Sequence, residues 1–259
     1  MIYFVSDIHL GCADAEQSQR AERAFCRWLD MVAEDAEAIY LLGDIFDFWF
    51  EYHKVAPRGF VRVLGRLAEL SDRGVRIVFY PGNHDMWCLD YLTKECGVRI
   101  EHKPSIEVVQ NRKIHLAHGD NMNIKGQPML KIMNWLFRSK VARFLFRWLI
   151  HPDISAYLGK MFSGKSRKAH SKSEAPAQGS ATPPLHLLDP LIEYAEMHHI
   201  SNPDVAAYIF GHLHIPHRRV VDGFEVFFLS DWSRKEATYA TMDSNGIELK
   251  NFKIDETIS

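Results

Sequence analysis

Five short apolar runs in this chain break off in the same way, each into a cluster of Asp, Asn, Gly and His. They are MIYFVSDIH (1–9), AIYLLGD (38–44), VRIVFYPGNHD (75–85), KIHLAHGD (113–120) and VAAYIFGHLH (205–214). Runs of this length, rich in Val, Ile, Tyr and Phe, predict buried strands. Helical spacing fills the gaps between the first three, at 16–34 and 57–73, so the chain is expected to open as βαβαβ. That alternation favours a mostly parallel sheet in a layered α/β domain. Ligands gather beyond the carboxyl ends of the strands in such sheets, which is where the polar clusters fall.

At 259 residues and 47% hydrophobic, the chain has material for one large α/β domain or two small ones. A net charge of −2 supplies no overall attraction to nucleic acid or membrane, so any such surface must come from local clustering. Cys12, Cys26, Cys88 and Cys96 form no CxxC pair and are read as reduced thiols of a cytosolic protein. The opening MIYFVSDIHL lacks a basic leader, and its apolar run is too short for a signal peptide or a membrane span.

The middle of the chain differs in character. Between Lys125 and Lys172 there are eleven Lys or Arg and one acid, Asp153, and the stretch 129–150 is heavily apolar and aromatic. On a helix, Lys140, Arg143 and Arg147 share one face while Val141, Phe144, Leu145 and Trp148 share another, which makes the segment amphipathic. It reads either as a helix packed on its own domain or as a cap for an anionic, greasy substrate. SKSEAPAQGSATPP (171–184) reads as a flexible loop. A helix at about 186–199 and strands at 224–232 and 237–243, closing the sheet, complete the chain.

The strand ends contribute Asp7, His9, Asp44, Asn83, His84, Asp85, His118, His212 and His214. Alternate residues of an extended segment point the same way, so Asp7 with His9, and His212 with His214, are expected to face one ion each. Carboxylate, imidazole and amide donors together suit manganese, iron or zinc, whereas all-oxygen sites suit magnesium or calcium. A lone histidine at a strand end is usually structural. Seven candidate ligands at the ends of five strands are hard to assign to chance.

These blocks, Asp7-Ile8-His9, Gly43-Asp44, Gly82-Asn83-His84-Asp85, His118 and Gly211-His212-Leu213-His214, resemble the signature of the calcineurin-like metallophosphoesterases. The resemblance implies a four-layer αββα sandwich over 1–259 with a helical cap inserted at about 125–170. It also implies two divalent ions, manganese first, with iron and zinc as the other candidates. Asp44 would bridge them, with Asp7, His9 and His214 completing one site and Asn83, His118 and His212 the other. His84 would stabilise or protonate the leaving oxygen, with Asp85 orienting its ring. Gly43, Gly82 and Gly211 are expected to let the backbone turn sharply into the site. His217 matches no role and is read as a surface residue.

The motifs GDIFDFWF (43–50), LAHGD (116–120), SRKAHSK (166–172) and LSDW (229–232) narrow the resemblance to the UDP-2,3-diacylglucosamine pyrophosphohydrolases of lipid A synthesis. It implies attack on the nucleotide-side phosphate, releasing UMP and 2,3-diacylglucosamine 1-phosphate. Arg167, Lys168 and Lys172 then become candidate phosphate or sugar contacts, Asp120 a sugar or ligand contact, and Trp135, Phe144 and Trp148 an acyl groove or core. Those lipid enzymes carry arginine where this chain has His84. The expected partner is a lipid-linked UDP-sugar at the cytosolic membrane face, with no nucleic acid, and nothing in the sequence specifies an oligomeric state. A broad phosphodiesterase or nucleotide pyrophosphatase and an inactive scaffold are the rival readings.

Overall fold

A computed structural model describes residues 1–12, 14–52, 54–122, 139–154 and 185–254. The chain opens in the expected order, β1 (Ile2–Val5), α1 (Ala15–Val32), β2 (Ala38–Leu41), α2 (Val61–Asp72) and β3 (Arg76–Phe79). The three strands are parallel, with Ile2 beside Ala38 and Ala38 beside Arg76. Helix α1 begins where the Asp14 carboxylate accepts the Gln17 N–H at 3.0 Å. It buries Ala21, Ala24, Phe25, Trp28, Leu29 and Val32, the spacing of one helix face. After α3 (Tyr91–Cys96), the short β4 (Arg99–Ile100) adds to β3.

Two mixed sheets form, as the expected αββα sandwich requires, ordered β11-β10-β1-β2-β3-β4 and β5-β6-β7-β9-β8. The second comprises β5 (Ser105–Val109), β6 (Arg112–Ala117), β7 (Val205–Phe210), β8 (His217–Val221) and β9 (Phe224–Phe228). The first takes in β10 (Glu236–Asp243) and β11 (Gly246–Lys253), antiparallel to β1 and to each other. The two late strands expected at 224–232 and 237–243 lie in different sheets, β9 in the second and β10 in the first. Gln110 and Asn111 join β5 to β6 with φ of 47° and 63°, the conformation of a two-residue turn whose twist matches its strands.

Side-chain alternation sorts the strands into layers. Tyr3 and Val5 face the helices with Trp28, Leu29 and Leu67, while Ile2 and Phe4 face the second sheet with Ile114, Ile209 and Phe227. The far side of the second sheet packs through Tyr208, Phe210 and Val226 on Leu191 and Ala195 of the last described helix, α5 (Asp189–Ser201). The result is the αββα order. A 3₁₀ turn, Leu185–Leu188, precedes α5. The four cysteines are free, and no helix among the described residues is long and apolar enough to cross a membrane.

Within the expected cap, α4 (Lys140–Leu149) is capped by the Ser139 hydroxyl. Val141, Phe144, Leu145, Trp148 and Leu149 are exposed on it, whereas Phe146 packs between Phe50 and Trp87, with ring centroids 4.8 and 5.0 Å away. The rest of the expected insert and the 171–184 loop lie outside the described residues, as do Trp135, Arg167, Lys168 and Lys172.

One histidine of β6 faces α5 and not the strand ends. His115 is buried against His198 and Tyr208, ring centroids 4.7 and 5.1 Å away, and Tyr194 Oη lies 3.3 Å from its Nε2. Burial, reinforced by the neighbouring His198, pushes its pKa down to about 3. The unfolded chain therefore takes up a proton below about pH 6.5 that the native state refuses until about pH 3. Stability held above pH 6.5 should be lost as pH falls through that window, by up to about 1.4 kcal/mol per pH unit from this group. Urea denaturation between pH 7.5 and 5 should show this slope, and His115→Gln, which takes up no proton, should flatten it.

Candidate metal centre

Strands β1, β2, β6 and β7 end at one edge of the sandwich, and the residues just beyond them turn inward. Five of these have left-handed backbones: Asp7 (φ 56°), His9 (53°), Asp44 (52°), His212 (69°) and His214 (54°). This corrects the expectation of extended Asp7–His9 and His212–His214 segments. The side chains still face one region, but β1 stops at Val5 and β7 at Phe210, and a helical-handed turn then aims each residue. Asp, Asn and His tolerate this region better than other residues with a Cβ, and such strain concentrates at functional sites.

Backbone hydrogen bonds lace the turns together. The Asp7 N–H donates to Gly43 O, His9 N–H to Asp44 O, and Gly211 N–H to His118 O, all at 3.0 Å. Trp232 of the LSDW motif donates its N–H to Asp7 O at 3.2 Å and buries its ring against Phe25 and Trp28. The glycines divide by role. Gly43 has φ 86°, the turn that was expected, whereas Gly82 and Gly211 have ordinary φ and serve close approach. A Cβ on Gly211 would sit 2.6 Å from Asp7 Oδ2 and 2.7 Å from Ser6 Oγ; one on Gly82 would sit 2.7 Å from His118 Nε2.

Three ion-sized groups result, with ligand atoms within 4.8 Å of one another: Asp7, His9 and His214; His9, Asp44 and His84; and Asp44, His118 and His212. Asp44 and His9 each belong to two of them. The Nε2 atoms of His9 and His214 face each other at 3.3 Å, and His214 Nε2 lies 3.2 Å from Asp7 Oδ1. His118 places Nδ1 2.8 Å from Leu42 O; a carbonyl only accepts, so Nδ1 carries a proton and Nε2 points at Asp44 Oδ2, 3.3 Å away. Asp7 Oδ1, Asn83 Oδ1 and His118 Nε2 are buried and take no hydrogen bond. Buried polar atoms without hydrogen bonds are costly unless another partner meets them. A cluster of such atoms from carboxylate, amide and imidazole groups fits divalent cations.

Electrostatics point the same way. Burial raises the Asp44 carboxyl, but His118 and His84 outweigh it and hold Asp44 well below the usual carboxylate range. Burial likewise opposes charge on His118, yet Asp44 lifts its pKa well above the ordinary imidazole value. A site that draws a proton this strongly onto a buried imidazole is a site of concentrated negative potential, and cations compete for it.

Asp85 is buried and does not orient the His84 ring, which corrects the sequence expectation. Its carboxylate instead accepts the backbone N–H groups of Gly82 (2.7 Å), Ile45 (2.8 Å), Phe46 (3.2 Å) and Asp44 (3.3 Å). It clamps the Asp44 loop to the Asn83 loop. Burial and the charge of Asp44 push the Asp85 carboxyl up to about 7, against the backbone donors that favour its anion. The His84 ring is held by the backbone of Asp47, with Nδ1 2.9 Å from Asp47 O, so Nε2 turns toward Asp44 Oδ2 at 3.8 Å.

Residues 1–216 match the family model described as calcineurin-like phosphoesterase. The chain belongs to that family. Among curated relatives of this phosphoesterase, a UDP-2,3-diacylglucosamine hydrolase of Porphyromonas gingivalis is 39% identical over 258 residues, 97% of each chain. One of the same name from Stutzerimonas stutzeri is 29% identical, covering 98% of this chain and all of the other. The phosphoesterase is thus a metal-dependent hydrolase.

Other predicted residues fall near the centre. Asp120 borders a cavity beside His118, and Phe144 and Trp148 lie on the exposed face of α4, 59% and 66% exposed. They are not core residues. His217 begins β8. Sequence reasoning missed Asp47, whose buried Oδ1 lies 3.4 Å from His9 Nδ1, and the Phe50–Trp87–Phe146 contact. The aromatic run FDFWF was the available signal for both. Because four N–H groups converge on one carboxylate, Asp85→Ala should cost roughly 3–5 kcal/mol in urea denaturation. Asp85→Asn, which keeps one acceptor oxygen, should recover part of that loss.

Proposed function

We propose that this phosphoesterase hydrolyses the pyrophosphate of UDP-2,3-diacylglucosamine to UMP and 2,3-diacylglucosamine 1-phosphate, using two divalent ions with manganese as the working pair. The observation that carries the reading is a carboxylate–imidazole–amide centre together with a helix that packs on the neighbouring Phe50 and Trp87 and exposes an apolar face. A substrate with a pyrophosphate and two acyl chains needs both. Similarity along 97% of the chain to a hydrolase named for that substrate supports it.

In this reading Asp7, His9 and His214 would hold one ion, Asn83, His118 and His212 the other, and Asp44 would serve both. Such a pair would supply Lewis acidity at phosphorus and a more acidic water. The chain supplies the rest. His84, fixed through Nδ1 by the Asp47 carbonyl, would present Nε2–H to the leaving oxygen when both ring nitrogens carry a proton, and stabilise or protonate it. Asp85 keeps the two loops in register, and the insert at about 125–170 forms the cap. Arg167, Lys168 and Lys172 are phosphate or sugar contacts, Asp120 contacts the sugar or orients a ligand, and Trp135, Phe144 and Trp148 contact the acyl chains.

The test is product analysis of the manganese-loaded protein with UDP-2,3-diacylglucosamine in ¹⁸O water, beside a generic bis-aryl phosphodiester. UMP carrying the label is the expected product. Cleavage of the generic ester with the lipid untouched would favour a broad phosphodiesterase. Asp44→Ala and His212→Ala should each reduce turnover by at least about a thousandfold, and turnover at the wild-type level in either would refute the ligand assignment.

The exposed apolar side chains of α4, in a segment with eleven basic residues and one acid, further suit docking to an anionic membrane face. The protein should sediment with anionic liposomes at low salt and lose that association in high salt. Recovery wholly in the supernatant at low salt would exclude this mode.

A further inference from the structure

The centre has two unlike flanks. On one, Phe50 pairs with Trp87 through an isolated backbone bridge, their rings 4.5 Å apart, and Phe146 of α4 packs on both. That flank is aromatic. On the other, beyond His118, a cavity of about 510 Å³ opens where three strands end. Tyr80 and Pro81 follow β3, Glu101–Pro104 follow β4, and His118–Met122 follow β6. This is the crevice past the carboxyl ends of strands, here at the seam between the two sheets, and its volume lies in the range of small-molecule sites. Helix α4 spans both flanks. Its N-cap, Ser139, borders the cavity, and just past its far end the Ile150 carbonyl accepts the Tyr52 hydroxyl at 2.9 Å.

We infer that this cavity binds the uridine monophosphate half of the substrate, with Lys103 and Asn121 as recognition groups; the inference rests on the hydrolase reading above. The chemistry of the walls assigns the halves. An acyl chain in the cavity would desolvate Lys103 and Asn121 and give them no partner, which is costly. A nucleotide meets both, since an amide matches a uracil carbonyl and N–H and an ammonium pairs with phosphate. The exposed apolar side chains of α4, Phe144, Leu145 and Trp148, suit the acyl half. The two halves join at the phosphates, so placing the phosphates at the centre sends the nucleotide toward Asp120 and the lipid toward α4.

The experiment titrates UMP into the manganese-loaded full chain by calorimetry and measures kcat and KM for UDP-2,3-diacylglucosamine, in wild type, Lys103→Glu and Asn121→Ala. Lys103 is exposed on a loop, so its variant should fold, and circular dichroism checks this. The expected result is UMP binding weakened about tenfold in each variant, with KM raised by a similar factor and kcat changed less than twofold. UMP binding equal in all three proteins would overturn the cavity assignment. A loss confined to kcat would overturn it as well. Because UMP binding is read directly, the two ideas fail separately: wild-type protein that leaves the lipid uncut refutes the hydrolase reading, whereas variants that bind UMP normally refute the cavity.

Discussion

The Asp85 carboxylate is the interaction on which the centre depends. Its two oxygens take N–H groups from Gly82 on one loop and from Asp44, Ile45 and Phe46 on the other. Neither loop has regular secondary structure to fix it, and each carries a residue of the centre, Asp44 and Asn83. A buried acceptor with four directional partners holds them where strand pairing has ended. Its partners are backbone dipoles and not a basic side chain, so the clamp brings no positive side chain beneath the site.

Around this clamp the local backbone works against its own preferences. Five residues adopt left-handed conformations at some cost each, and Gly82 and Gly211 leave room for neighbouring carboxylate and imidazole groups. The buried apolar layers and the parallel strand pairs over-determine the loops enough to keep them there. Second contacts fix the rings. His118 leans on the Leu42 carbonyl and His84 on the Asp47 carbonyl, so in both the nitrogen turned toward Asp44 is Nε2.

Much of this was legible in the sequence, for a physical reason. Buried strands must be apolar, and residues that hold charge must follow immediately at their ends, so β1, β2, β3, β6 and β7 announce both themselves and the site. Less visible were β4, β5, β8 and β11, which are short or lie at sheet edges where half the side chains are exposed, so their patterns are mixed. The β5–β6 hairpin turns on Gln110-Asn111, which carries no glycine to mark it. The reach of Asp85 could not be read from its place beside His84, because a side chain's partner depends on which loop the fold brings opposite. Asp47, three residues after Asp44, was hidden for the same reason.

The division of the centre between the sheets has its own consequence. Asp7, His9, Asp44 and Asn83 ride on the first sheet; His118, His212 and His214 ride on the second. Between the two sheets lies the apolar layer that includes Phe4, Tyr40, Ile114, Ile209 and Phe227. That layer is the spacer that sets how far apart the two halves of the centre stand. Interiors pack with little slack, so a methylene lost or gained there shifts one half against the other by a fraction of an ångström. The core of this protein therefore does a second job, since a change far from any polar residue also changes how the two halves of the centre are held against each other.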